Sequence, residues 1–348
     1  MNSGIVPTNS RSSLIQPSRP TPKACQTTSR QPSTLPPMPR PFRFSLTATG
    51  INDAGDFTEL CRRAEGLGYS TVSMADHLDS QLAPMLALTA AAQATSTLRV
   101  LSLVLANDYR HPAVLAKEVT TLDQLSGGRL EFGIGAGWMA SDYEQAGLPY
   151  DRPGVRIERL AEAVAILKAS WTGEPVDFDG TYYRIAGLVN SPAPAQDGGP
   201  PLMLAGGAKR MLTYAGSEAD IVGVNAALTA GVIDERVGPS ATAAATDEKI
   251  EWIRDGAGDR FDQIELQTRV HVAHVGDGAD AFADGMAGAL GLTREQALAT
   301  PHAIICSSTT EAVETLQQWR ERWGISYIGL GSDAIDSMAP VVAELAGS

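Results

Sequence analysis

Residues 98–138 read LRVLSLVLANDYRHPAVLAKEVTTLDQLSGGRLEFGIGAGW. Two runs in this stretch, LRVLSLVL and RLEFGIG, are apolar with little alternation, the pattern of strands covered on both faces. Between them, Pro112 suits the first turn of a helix, with His111 held extended before it. Strand, helix and strand in that order make a βα unit of a parallel sheet. The same alternation extends in both directions. Candidate strands are Phe42–Thr49, Tyr69–Ala75, Leu98–Leu105, Leu130–Gly135, Pro201–Ala205, Ala219–Gly223, Ile264–His274 and Ile325–Leu330. Helical stripes separate them: Phe57, Leu60, Ala64 and Leu67; Ile157, Leu160, Val164, Leu167 and Trp171; Ala312, Leu316, Trp319 and Trp323. About eight βα units predict a (β/α)8 barrel over residues 41–348.

Two stretches exceed a minimal barrel. Residues 172–200 carry Asp179-Gly180 between short runs and predict a hairpin followed by a Pro/Gly loop. Residues 226–262 are Ala/Thr-rich and then charged, and read as a mobile excursion over the barrel mouth. Residues 1–40 contain twenty Ser, Thr or Pro, and no Asp or Glu precedes Asp53. Such a segment cannot bury enough apolar surface to offset its ordering entropy, so it is expected to be a disordered basic tail. Its bias is that of an organellar transit peptide. The plainer reading is an idle tail, or an early start with Met38 the natural one.

The chain has 27 basic and 40 acidic residues, a net charge of −13. A general nucleic-acid binder needs clustered Lys and Arg and is excluded on that ground. No apolar run reaches the roughly 18 residues of a membrane span. Cys25, Cys61 and Cys306 are odd in number and far apart, which supports a reducing compartment and a cytoplasmic enzyme.

Active sites of such barrels lie at the C-terminal ends of the strands. After the second strand, Asp76-His77 forms a candidate acid/base pair, with surface turn capping as the competing role. After the third, Arg110 can reach an anion or make a helix-start salt bridge. After the fourth, Gly133-Ile134-Gly135-Ala136-Gly137-Trp138 lets a ring or a backbone approach, because no Cβ intervenes. Its third glycine is misplaced for a dinucleotide fingerprint. After the fifth, Ala205-Gly206-Gly207-Ala208-Lys209-Arg210 leads into a helix and makes a credible phosphate cradle. His271 and His274, three apart in one strand, point to opposite faces, which argues against a metal site.

Taken in order, the stretches FRFSLTATG, AEGLGYSTVSMADH, residues 98–138, YEQAGLPYDRPGVRIERLAEAVAILKASWTG and LMLAGGAKRMLTYAGSEADIVGVN resemble the luciferase-like monooxygenase family, including its deazaflavin (coenzyme F420) subgroup. The resemblance implies a TIM-type barrel with a flavin or deazaflavin ring at the strand C-termini. It implies a bulge at Leu103-Val104, often with a non-proline cis peptide. It places Asp76, His77, Ala106 and Asn107 beside the ring, Ala136 and Gly137 under it, Ala205, Gly206, Gly207 and Arg210 at the phosphate, and Asn225 at the reacting end. Sugar-phosphate dehydrogenases of the family carry a proton-donating glutamate where this chain has Trp138, so a bulkier, apolar substrate face is expected.

The leading expectation is hydride transfer between reduced F420 and an organic C=C, C=N or C=O group, with His77 handling the proton. The alternatives are a reduced-FMN monooxygenase supplied by a partner reductase, and a non-catalytic flavin-binding barrel. The expected partners are a small-molecule substrate, a separate cofactor reductase and, as in relatives, a second copy of the chain.

Overall fold

The computed structural model describes Met1 and residues 39–228, 230–233 and 235–348. The expected tail, apart from Met1, Pro39 and Arg40, lies outside these residues. Pro39–Ser348 forms one unit.

Eight parallel strands close on themselves: β1 (Arg43–Thr47), β2 (Thr71–Met74), β3 (Arg99–Ser102 and Leu105–Ala106), β4 (Leu130–Gly135), β5 (Leu202–Gly206), β6 (Ile221–Val224), β7 (Glu265–Arg269) and β8 (Ile325–Gly331). Each pairs with its successor, and β8 pairs with β1 through Arg43↔Tyr327 to Thr47↔Gly331. The expected (β/α)8 barrel is the fold. β3 comes in two pieces on either side of Leu103–Val104, a cis peptide, and both pieces pair with β4.

Strand period two sends alternate side chains into the barrel. At the N-terminal end, Arg43 is ion-paired with Glu131 and Glu265, and Arg99 with Glu131 at 2.7 Å. The Tyr327 hydroxyl donates to Glu131 at 3.0 Å. Above them, Leu101, Met203, Ile221 and Tyr327 fill a middle layer. The outward faces (Phe44, Leu46, Val72, Val100, Phe132, Leu204, Val222, Leu266, Ile328) meet the helices. The helical stripes read from the sequence lie against this core, with Leu160, Ala312 and Leu316 fully buried. Among the described residues, no helix is long and apolar enough to cross a membrane.

The connections follow local chemistry. The Asp53 carboxylate caps the helix Ala54–Gly66 by accepting from Gly55 N and Asp56 N. His111 is extended before Pro112, as expected, and its Nδ1 accepts from Ala113 N. Glu65 Oε1 accepts from the N–H groups of Ser96, Thr97 and Leu98, fastening the end of the first helix to the start of β3. Burial works against this carboxylate's charge, but those donors win and lower its pKa to about 2.

Three expectations need correction. The run Ile264–His274 is not one strand. β7 ends at Arg269, and Val272–Val275 pairs with Ala303–Cys306 in a separate two-stranded sheet that also carries the helices Ala279–Leu290 and Arg294–Ala299. β-rich composition runs through both strands, so no local signal marks the point where the chain leaves the barrel. Residues 226–262 are not all excursion either. Ala243–Ala257 is a wall helix with Ile250 and Ile253 buried against Lys209–Glu218. Gly216 and Gly256 allow this pair to touch, since a Cβ on Gly256 would fall 1.9 Å from Thr213 O. Finally, the argument from His271 and His274 fails, because only His274 is in the strand; it bonds Asp277 O at 2.8 Å and stacks on Phe282. The hairpin in 172–200 is present as Val176–Asp179 and Arg184–Leu188. Glu162 docks it by accepting from Thr181 N, Tyr182 N and Tyr183 N.

Two outcomes are expected. Gly256→Ala, which helix propensity alone would favour, should instead destabilise the fold by about 1–3 kcal/mol through overpacking, read from urea unfolding. The contribution of Glu65 is complete above its unfolded pKa near 4.5 and lost as pH falls toward 2. Glu65→Gln should therefore flatten the acid limb of the melting temperature between pH 4.5 and 2.

Candidate active site

β2 ends in Met74-Ala75-Asp76-His77, and these two polar residues take different partners. Asp76 is 6% exposed; its carboxylate accepts from Ala106 N at 3.0 Å and from both terminal nitrogens of Arg110, at 2.5 and 3.1 Å. Burial works against the charge on Arg110, but Asp76 outweighs it and holds the pKa above its ordinary value. This bidentate pair ties the end of β2 to the second piece of β3. Asp76 is thus committed to Arg110 and Ala106 and His77 bonds elsewhere, which corrects the expected Asp76–His77 acid/base pair.

The partner of His77 is Asp142, whose Oδ2 lies 2.8 Å from Nδ1. Asp142 is buried in the first turn of the helix Ala140–Ala146 and also accepts from the Tyr109 hydroxyl at 3.3 Å. A carboxylate only accepts, so Nδ1 carries the hydrogen of this bond. Burial, then Asp142, raises the pKa of Tyr109 and keeps it a neutral donor. Trp138 meets the His77 ring edge-on at 5.5 Å between centroids. Asp142 went unread because nothing local in Met139–Tyr143 points to a partner 65 residues earlier.

The glycines after β4 are filled largely by the protein itself. A Cβ on Gly135 would come within 2.8 Å of Val104 Cγ2, and one on Gly133 within 2.0 Å of Ser102 O. Gly137 has φ +73°, and a Cβ there would fall 1.9 Å from the hydroxyl of fully buried Tyr143. That hydroxyl donates to Asp108 at 3.0 Å and to Ala136 O at 3.4 Å, and Arg156 donates to Gly137 O at 2.9 Å. Leu103 packs on the middle barrel layer. Asn107 donates to the Tyr183 hydroxyl at 3.1 Å, which brings the hairpin to the β3 end of the rim.

At β5 the same holds. A Cβ on Gly206 would meet Met211 Cγ at 2.6 Å, and one on Gly207 the carbonyl carbon of Ala226 at 2.3 Å. Ala205 lies opposite Gly223 on β6, and Gly206 O accepts from Asn225 N at 2.9 Å. The helix Lys209–Glu218 starts at Ala208 with no side-chain cap, leaving its first N–H groups to an external acceptor. Arg210 is paired with Glu158 at 2.7 Å on the exposed surface, not turned toward the cradle. Two buried amide oxygens, Asn107 Oδ1 and Asn225 Oδ1, have no hydrogen-bond partner. Buried acceptors are rarely left so, and together with the uncapped helix they fit a ligand with polar ring edges and an anionic tail. Among the described residues, no group of three or more His, Cys, Asp or Glu could hold a metal ion.

The family model described as luciferase-like monooxygenase matches residues 38–250. An F420-dependent glucose-6-phosphate dehydrogenase of Mycobacterium tuberculosis H37Rv is 30% identical over 212 residues, 57% of this chain and 62% of that protein. The enzyme of the same name from Nocardia farcinica is 33% identical over 191 residues, 51% of this chain and 54% of that one. The match thus spans somewhat over half the length of these relatives. The coenzyme F420-dependent tetrahydromethanopterin reductase of Methanopyrus kandleri superposes with TM-score 0.71 at 18% identity, covering 88% of this chain and 99% of that one. A long-chain alkane monooxygenase gives TM-score 0.71 at 14% identity, covering 88% and 92%. At these identities the superpositions show the fold alone.

The two polar residues after β2 should separate in the laboratory. Asp76→Ala strands the largely buried Arg110 and should cost about 3 kcal/mol in urea unfolding. His77→Ala leaves buried Asp142 only the Tyr109 hydroxyl and should cost less, about 1–2 kcal/mol.

Proposed function

The chain belongs to the luciferase-like monooxygenase family, and on that premise we propose that it is an F420-dependent oxidoreductase transferring a hydride between the deazaflavin and a small organic C=C, C=N or C=O group. The observation that carries the reading is the His77–Asp142 dyad after β2, together with two unpartnered buried amide oxygens after β3 and β6. The F420-dependent relatives at 30–33% identity favour the deazaflavin over FMN.

When bound, F420 supplies or accepts the hydride. The residues of the chain do the rest. The uncapped start of Lys209–Glu218 offers N–H groups and the positive helix end to the cofactor's phosphate. Asn107 and Asn225 accept hydrogen bonds from the polar edge of a ring or substrate. Asp142 fixes the tautomer of His77, leaving Nε2 to take a proton from a hydroxyl being oxidised or, as imidazolium, to return one to a reduced product. Trp138 walls this nitrogen with an apolar surface and has no proton to give as an acid. That is a reason to place the substrate outside the sugar phosphates. The chain's partners on this reading are the substrate and a separate enzyme that restores the spent cofactor.

Spectroscopic titration with F420 and FMN tests the cofactor: F420 should bind, and turnover should consume no oxygen. FMN binding with oxygen uptake would replace this reading with the monooxygenase. His77→Ala should retain F420 and lose about 10²- to 10⁴-fold in turnover; unchanged turnover would remove His77 from the chemistry.

A further inference from the structure

The C-terminal end of β7 carries a cation that the fold does not neutralise. Arg269 is largely buried and makes no ion pair within 4 Å among the described residues. Among the described residues its one side-chain hydrogen bond runs from Nη1 to Thr47 Oγ1 on β1, at 2.7 Å. Thr47 Oγ1 is in turn 2.9 Å from Ser73 Oγ on β2, four residues before His77. Asp333, exposed beyond β8, acts on the guanidinium only at longer range.

The route across the barrel is built for this side chain. β8 is bare at its two inward positions above Tyr327, Gly329 and Gly331, and neighbouring side chains occupy the space. Gln267 fills the lower position: a Cβ on Gly329 would lie 2.6 Å from its Nε2 and 3.3 Å from Ser45 Oγ. At the upper, Asp333 Oδ1 lies 2.2 Å from where a Gly331 Cβ would be and Arg269 Nη2 3.8 Å, so this carboxylate comes near the guanidinium without forming an ion pair. Gln267 Oε1 and Nε2 and Ser45 Oγ are all buried without a partner, so the shaft beneath Arg269 is polar and unsatisfied.

Of the neighbouring groups Lys249 has the same sign, whereas burial lowers the pKa of His271 to about 4 and that of His302 to about 3 and keeps both rings neutral. Lys249 is 1% exposed and donates only to carbonyls, Asn225 O at 2.8 Å and Ser240 O at 2.5 Å. His302 is 3% exposed, and its Nε2 has no partner; the His271 ring lies 6.3 Å away. Burial lowers the pKa of Lys249 to about 8 and that of Arg269 to about 10. In a chain of net charge −13, Arg269 and Lys249 have no carboxylate within 4 Å among the described residues.

A buried guanidinium with most of its donors unused is a receptor for an oxyanion. We propose that Arg269 anchors a carboxylate or phosphate group of the substrate, whose reacting carbon lies toward His77. The proposal rests on the oxidoreductase reading and adds a substrate class to it. Substrate is favoured over cofactor because the uncapped cradle lies at β5, whereas Arg269 reaches from β7 across β8 to β1.

The test titrates F420-loaded protein with benzoate, phenyl phosphate and neutral benzamide, using calorimetry. At least one anion should bind about 10- to 100-fold more tightly than benzamide, the range of a charge-assisted bond. The better anion tells a carboxylate from a phosphate ester. Arg269→Met should abolish the preference with F420 affinity unchanged, and Arg269→Lys should keep part of it. Thr47→Val, which removes the one bond aiming the guanidinium, should weaken the anion severalfold and serves if Arg269→Met fails to fold. Equal binding of anion and amide, or a preference that survives in Arg269→Met, overturns the proposal. So does a loss of F420 affinity in that variant, which would give Arg269 to the cofactor. If the parent binds the anion through Arg269 but binds no F420, the cofactor reading falls and the anion site stands.

Discussion

A parallel barrel must satisfy every polar group it turns inward, and Glu131 is where this chain meets that demand. The carboxylate is 2% exposed and sits between Arg43, Arg99 and the Tyr327 hydroxyl, which come from β1, β3 and β8. Arg43 also reaches Glu265 on β7 and lies 3.6 Å over the Tyr327 ring. Four strands are thereby locked to β4 at the N-terminal end. A buried charge without partners costs several kcal/mol, so these groups hold one another in register as much as they stabilise the fold.

The opposite end of the same barrel leaves its polar groups open. Among the described residues, Asn107, Asn225, Gln267, Ser45 and His302 each have a buried polar atom without a partner, and Arg269 and Lys249 have no carboxylate within 4 Å. The contrast between a closed N-terminal end and an open C-terminal end is what marks the mouth as the site. Active sites in barrels of this kind gather at the strand C-termini because loops there vary without disturbing the closure below.

Asp76 shows how the framework borrows from the site. By gripping Ala106 N and Arg110 it fixes the interrupted β3, and so sets Asn107 where the hairpin's Tyr183 meets it. His77, one residue on, is left free to pair with Asp142 across the rim. Adjacent residues in a strand-end turn thus divide structural and chemical work. The glycines divide in the same way: Gly133, Gly135, Gly206 and Gly207 each give space to a neighbouring part of the chain, which places the turns that line the mouth.

The alternation of apolar runs and helical stripes was enough to predict the barrel, because burial on both strand faces and on one helix face leaves a local periodicity. Leu130–Gly135 matches the strand as read, and His111-Pro112 the helix start, for that reason. The end of β7 and the wall helix Ala243–Ala257 were hidden, since leaving a barrel or packing on it is decided by distant partners. At the site, the sequence located the strand-end turns and His77 but not the pairs His77–Asp142 and Asp76–Arg110 or the unpaired Arg269. Side-chain chemistry is written locally. Which group neutralises which charge, and which charge is left over, depends on residues brought together only when the sheet closes.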